Sequence, residues 1–269
     1  MTAHAEAKLP DAVAGALVTL AGTLDGVPTE ADVDACIANL GELPAQLIGQ
    51  ASGYISGAVQ RVDWPKEKGP SVWPLFRSKS SKPTPAALLS ERPGLAWLLM
   101  FHRDGYIREA ALRAIREPPA SPFFVAAIAW RLNDWVEQVR DAASLCAGRV
   151  FPAVDADTGA GAAFYLLDRR LTWGRWDKEQ ALLDLLLGRP DILARVALQI
   201  RGESTGGLAG RLRHLLRYPA IDAYLPGLLA EAVEPAVRAV ALKCLIERRV
   251  SWPTGFAWRW IDKVYGVRK

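Results

Sequence analysis

The segments Asp104-Gly-Tyr-Ile-Arg-Glu-Ala-Ala-Leu112 and Glu234-Pro-Ala-Val-Arg-Ala-Val-Ala-Leu242 share a polar turn, an aliphatic residue, an arginine and then small apolar residues. Their apolar residues recur at i, i+3, i+4, i+7 and i+8, which is the spacing of one buried helix face. A third copy begins at Val139. The pattern predicts three helices that bury Ile107, Ala110, Ala111, Ala114 and Ile115; Val139, Ala142, Ala143, Cys146 and Ala147; and Val237, Val240, Ala241, Cys244 and Leu245.

A second apolar helix is predicted before each copy, so that each unit is an antiparallel helix pair. The turns between partners contain Asp104, Asn133-Asp134 and Glu234-Pro235, which are residue types that begin helices. The copies start 32 and then 98 residues apart, and the second interval leaves space for two diverged copies. The predicted partner helices and one diverged copy bury Leu95, Leu98 and Leu99; Val125, Ile128, Ala129 and Leu132; Ile221, Tyr224, Leu225, Leu228 and Leu229; and Leu193, Val196, Ala197 and Ile200.

These turns and second helices resemble those of the HEAT-repeat family, and the resemblance covers residues 93–250. It implies an all-α fold, a right-handed α-α solenoid of HEAT-like helix pairs, in which each pair stacks on the next to cover its second apolar face. HEAT-like proteins mostly act as binding scaffolds, so the resemblance specifies architecture far more than function.

The chain divides into three regions that are predicted to form one continuous domain. Residues 1–62 form an N-terminal helical region, with helices expected near Asp11 to Gly22, Glu30 to Asn39 and Ala45 to Val62. Residues 63–92 form a connecting loop rich in proline, lysine and tryptophan, and residues 93–269 hold the repeats with a C-terminal cap. Thr29 and Asp32 are spaced to cap the second helix.

Composition excludes several classes of protein. The 269 residues are 51% hydrophobic and 23% charged, with a net charge of +4, which is weak for a dedicated nucleic-acid binder. The three cysteines form no metal-ligand or disulfide pattern, and no apolar run is long enough to cross a bilayer. We therefore expect a cytoplasmic protein without metal, cofactor or membrane partner.

An arginine follows the first apolar residue of every copy, as Arg108, Arg140 and Arg238. In HEAT-like stacks such a residue commonly binds an acidic or carbonyl group of the neighbouring unit. A structural role is therefore expected, with contact to a ligand as the alternative.

One enzymatic alternative rests on the segment Trp130-Arg-Leu-Asn133-Asp134-Trp135-Val136, which is similar to part of the repeat signature of alkylpurine DNA glycosylases. That family continues with paired basic residues, whereas this chain has Glu137-Gln138, which weakens phosphate binding. The three histidines, His4, His102 and His214, have no catalytic or ligand spacing. A protein without catalytic residues is the main expectation.

Ten tryptophans favour recognition of a partner, because tryptophan and arginine dominate interface hot spots. Trp97 and Trp130 are assigned to packing between helix pairs. The segment from Trp64 to Lys82 also interleaves basic and aromatic residues; it could bind single-stranded nucleic acid or an acidic protein, or be a solvated connector. The candidate partner-binding residues are Trp173, Arg175, Trp176, Trp64, Trp73, Trp258 and Arg259.

The function expected from the sequence is that of a non-catalytic HEAT-like adaptor or inhibitor that binds one protein partner. An immunity protein that neutralises a bacterial toxin is the specific form. The alternative is a DNA-binding HEAT-like protein related to alkylpurine DNA glycosylases.

If the Trp173 to Trp176 cluster is an interface anchor, Trp176→Ala weakens the partner complex by about 2 kcal/mol or more. Folding stability, measured by thermal melting, then changes much less. A buried bridge between helices would instead lose about 3–5 kcal/mol of folding stability. Unchanged partner affinity in a folded Trp173→Ala, Trp176→Ala double variant would remove this cluster from the binding site.

Overall fold

The computed structural model describes residues 9–22, 29–60, 85–169 and 179–252, together with two short strands. The described residues form fourteen α-helices that pack against one another, and the predicted all-α class is confirmed. The helices are α1 Asp11–Gly22, α2 Glu30–Gly41, α3 Ile48–Val59, α4 Pro85–Glu91, α5 Leu95–Leu99, α6 Gly105–Ala114, α7 Pro122–Leu132, α8 Glu137–Val150, α9 Ala156–Arg169, α10 Glu179–Leu187, α11 Pro190–Gly202, α12 Leu208–Leu215, α13 Leu225–Glu231 and α14 Pro235–Glu247.

The only strands among the described residues are β1, Trp260–Asp262, and β2, Val267–Arg268. They pair antiparallel, with Trp260 opposite Arg268. This ribbon was not expected, because short strands without clear alternation give little periodic signal.

The second helix, α2, begins where its capping residues predict. Thr29 Oγ1 accepts a hydrogen bond from Asp32 N, and Asp32 Oδ2 accepts one from Thr29 N, both at 3.2 Å. The predicted helix from Ala45 to Val62 is instead a 3₁₀ turn, Ala45–Leu47, followed by α3. The end of the predicted connecting loop is also different, since Pro85–Glu91 is helical.

α7 is the central helix of the described core. Phe123 to Ala129 and Leu132 are all buried, so this helix is covered on nearly every side. It packs against α8 and α9 on the repeat side and against α2 and α3 on the N-terminal side. One hydrophobic cluster consequently extends from Leu9 to Cys244.

The predicted helix registers agree with the buried faces. All five residues of the α8 pattern, from Val139 to Ala147, are at most 1% exposed, and the diverged copy in α11 buries its four predicted residues. Ala110, Ala114, Tyr224 and Leu229 are half-buried, and Leu245 is 38% exposed on the outer side of α14. Trp97 and Trp130 pack against the core, and the Trp97 ring lies 5.1 Å from that of Phe124.

Val139→Asp should unfold or severely destabilise the protein, because a carboxylate at this fully buried position has no partner and costs several kcal/mol. Ser144→Asp is the matched control, since Ser144 is exposed on the same helix. Thermal melting followed by circular dichroism measures both. Equal melting temperatures for the two variants would show that the assigned register of α8 is wrong.

Candidate interaction site

The three shared arginines close the turn of their own helix pair. Each donates from Nη1 to the carbonyl oxygens six and five residues earlier in the chain. The acceptors are His102 and Arg103 for Arg108 (2.9 and 2.7 Å), Asp134 and Trp135 for Arg140 (2.9 and 3.3 Å), and Ala232 and Val233 for Arg238 (2.5 and 3.2 Å).

This geometry explains why the arginine recurs. The acceptor carbonyls lie in the turn between the two helices, where the backbone of the described residues offers them no hydrogen-bond donor. A guanidinium one turn into the next helix reaches back and satisfies two of them. The predicted structural role is therefore seen in all three copies, although Arg140 and Arg238 bind carbonyls of their own unit rather than of a neighbouring one.

Arg108 also reaches the neighbouring unit. Its Nη2 donates to Asp134 Oδ1 at 2.8 Å, across 26 residues of sequence. Asp134 Oδ2 accepts from Arg131 Nη1 at 3.0 Å, and Asp134 Oδ1 accepts from Val136 N at 3.0 Å. One carboxylate thereby joins the α5–α6 turn to the α7–α8 turn.

These three charged side chains are nearly excluded from water, with side-chain exposures of 4% for Arg108, 11% for Arg131 and 2% for Asp134. Burial lowers the pKa of Arg131 to about 10, an effect opposed by the Asp134 carboxylate and reinforced by the Arg108 charge. The Arg131 guanidinium also lies 5.4 Å from the Phe101 ring centroid. The cluster holds two cations and one anion and therefore carries one excess positive charge.

Two large aromatic side chains project from the turns that this cluster joins. Trp135 is 72% exposed and Tyr106 is 84% exposed. The two turns are in close contact at Gly105. A Cβ atom added to this glycine would lie 3.3 Å from Val136 Cγ2. The Arg108 guanidinium lies 6.0 Å from the Trp135 ring centroid, within reach of a cation–π contact. We call these turns, residues 103–106 and 134–136, the aromatic edge.

The aromatic edge combines two features of a binding surface. Exposed tryptophan and tyrosine supply large contact areas at a low cost in side-chain entropy. The backbone that carries them is fixed, because Tyr106 N donates to Asp104 Oδ1 and Val136 N donates to Asp134 Oδ1, so little order has to be gained on binding.

The seven partner-binding residues predicted from the sequence, Trp64, Trp73, Trp173, Arg175, Trp176, Trp258 and Arg259, all lie outside the described residues. Tyr106 is not among the residues predicted from the sequence, and Trp135 is named there only for its similarity to the glycosylase signature. The signal that could have found both is a large aromatic residue within two positions of a turn aspartate, Asp104 or Asp134.

A metal site is not assembled among the described residues. No group of three histidine, cysteine or acidic residues there is placed to hold a metal ion, and no helix there is long and apolar enough to cross a membrane. Cys36, Cys146 and Cys244 are unpaired and buried. Burial raises the pKa of the Cys36 thiol to about 12 and that of Cys146 to about 11, so neither is a thiolate near neutral pH.

Comparisons with protein-family models, curated proteins and solved structures found no match to this chain.

Asp134→Asn should destabilise the protein by about 3–5 kcal/mol, because it leaves two buried guanidinium groups without a counter-charge. Asp157→Asn is the matched control: Asp157 pairs with Arg195 at 3.2 Å with side chains 75% and 52% exposed, and exposed pairs contribute at most about 1 kcal/mol. Urea denaturation measures both changes. Equal losses would contradict the view that Asp134 locks the two turns.

Proposed function

We propose that this protein is a non-catalytic adaptor or inhibitor that binds one protein partner through the aromatic edge. The observation that carries the proposal is the exposure of Tyr106 and Trp135 on two adjoining turns that a buried ion cluster holds in place. Rigid exposed aromatics beside arginine are typical of interface anchors.

The proposed architecture is a right-handed HEAT-like solenoid. The contacts between helices support it, because a helix packs both on the adjacent helix in the chain and on the next helix but one. α6 packs on α5 and α8, and α7 packs on α8 and α9. Stacked helix pairs produce this alternation, because each helix touches both its partner and the equivalent helix of the next pair. The turns of such a stack lie side by side and form one continuous edge.

The environment of Asp134 favours binding over glycosylase chemistry. Both of its carboxylate oxygens accept hydrogen bonds from protein groups, and the side chain is 2% exposed. The burial of this acid and the hydrogen bonds on both of its oxygens separate it from a substrate in solvent. We therefore retain a protein partner, without cofactor and in the cytoplasm, as the proposal; an immunity protein that neutralises a toxin is its specific form.

A Tyr106→Ala, Trp135→Ala double variant should weaken the partner complex by about 2 kcal/mol or more, because hot-spot aromatics contribute at least this much. Immobilised protein captures the partner from lysate, and calorimetric titration of the purified partner then measures its affinity. The melting temperature should change little, since both rings are exposed. Tyr54→Ala is the matched control, because Tyr54 is an aromatic residue 58% exposed on α3.

Two results would contradict this proposal. One is equal partner affinity for the double variant and the wild type. The other is release of alkylated bases from DNA by the wild type at a rate above that of a Trp135→Ala variant, which would favour the glycosylase alternative.

A further inference from the structure

The last described α-helix, α14, carries apolar residues on its outer side as well as on its core side. Val237, Val240, Ala241 and Cys244 face the core, while Leu242, Leu245 and Ile246 on the other side are 44%, 38% and 71% exposed. Large apolar side chains on two sides of a helix are normally covered on both. α7 also carries apolar residues on both sides and its neighbours cover them, whereas Leu242 and Ile246 on the outer side of α14 are left exposed.

A groove runs between α12 and α14 beside this exposed side. It has a volume of about 580 Å³, within the range of ligand-binding clefts. Its apolar wall consists of Leu216, Val240, Cys244 and Val250, and Ala239 lies at its edge. Ala239, Leu242 and Ile246 recur at i, i+3 and i+7, so the exposed stripe of α14 is continuous with the groove.

The charged residues of the groove are predominantly basic. Arg213, Lys243 and Arg249 line it together with one acid, Glu247. Glu247 forms ion pairs with two of these cations, because its carboxylate lies 3.1 Å from Arg249 Nε and 3.9 Å from Lys243 Nζ. Arg213 forms no ion pair with any residue of the described chain. The rim thus has two positive charges in excess over an apolar floor.

We propose that the groove and the α14 stripe together bind an amphipathic helix of a partner protein, with aliphatic residues on one face and carboxylates along its flanks. The aliphatic face covers Leu242, Ile246 and the groove wall, as a neighbouring helix covers α7. The carboxylates pair with Arg213, Lys243 and Arg249, which selects an acidic helix over a basic one. This surface shares no residue with the aromatic edge and is independent of the function proposed for it.

The test uses the full chain and a synthetic helical peptide of about four turns, with leucine at i, i+3, i+4 and i+7 and glutamate on the flanks. Fluorescence anisotropy should show saturable binding that weakens as salt concentration rises. The same peptide with lysine in place of glutamate should bind at least about tenfold more weakly, because it places like charges together.

Variants of the chain test whether the acidic peptide binds at the groove and the α14 stripe. Ile246→Asp and Arg213→Glu should each weaken the acidic peptide by about tenfold or more, because one buries an unpaired charge and the other reverses a rim charge. Leu145→Asp, at an apolar residue 66% exposed on α8, should leave the affinity unchanged. Circular dichroism melting confirms that all three variants fold.

Cys244 supplies a second readout, since it lines the groove and is 8% exposed, whereas Cys36 and Cys146 are fully buried. The acidic peptide should slow alkylation of Cys244 by a maleimide, measured by mass spectrometry. The proposal would be overturned if binding of the acidic peptide did not saturate, or if the lysine peptide bound with equal affinity. It would also be overturned if Ile246→Asp left the affinity unchanged, or if the peptide did not slow alkylation of Cys244. Preferential binding of the chain to vesicles of anionic lipid would assign the surface to a membrane instead.

Discussion

A single buried carboxylate fixes two consecutive helix pairs relative to each other. Asp134 binds Arg108 from one unit, Arg131 from its own unit and the backbone of Val136 at the start of α8. Removing these charges from water costs several kcal/mol per ion, and the hydrogen bonds that Asp134 accepts offset part of that cost. The arrangement therefore tolerates little change in the distance between the two turns.

The same turns recur because helix ends expose unpaired carbonyls. Within a unit, Arg108, Arg140 and Arg238 bind the carbonyls of the preceding turn. Between units, Arg149 of α8 donates to the carbonyls of Leu112 and Ile115 at the end of α6, 37 and 34 residues away. Arginine side chains thus pair carbonyls of turns and helix ends that the backbone leaves unpaired.

The surface that remains after this packing bears two kinds of apolar residue. Tyr106 and Trp135 are exposed on turns that polar contacts hold, whereas Leu242 and Ile246 are exposed on a helix whose other side is in the core. The first arrangement presents isolated anchors, and the second presents a continuous stripe beside a basic groove. Their different chemistry is the reason for assigning them to different partners.

The sequence by itself determined the helical class, the buried face of α8 and the capping of α2, because each depends on residues three or four positions apart in one helix. Recurrence singled out Arg108, Arg140 and Arg238, and the resemblance to HEAT repeats predicted a structural role for them. Only the tertiary structure decided that Arg108 meets Asp134, that Trp135 is exposed while Trp130 is packed, and that Leu245 lies outside the core. Periodicity specifies which side of a helix is apolar, but exposure depends on whether another helix, distant in sequence, covers that side.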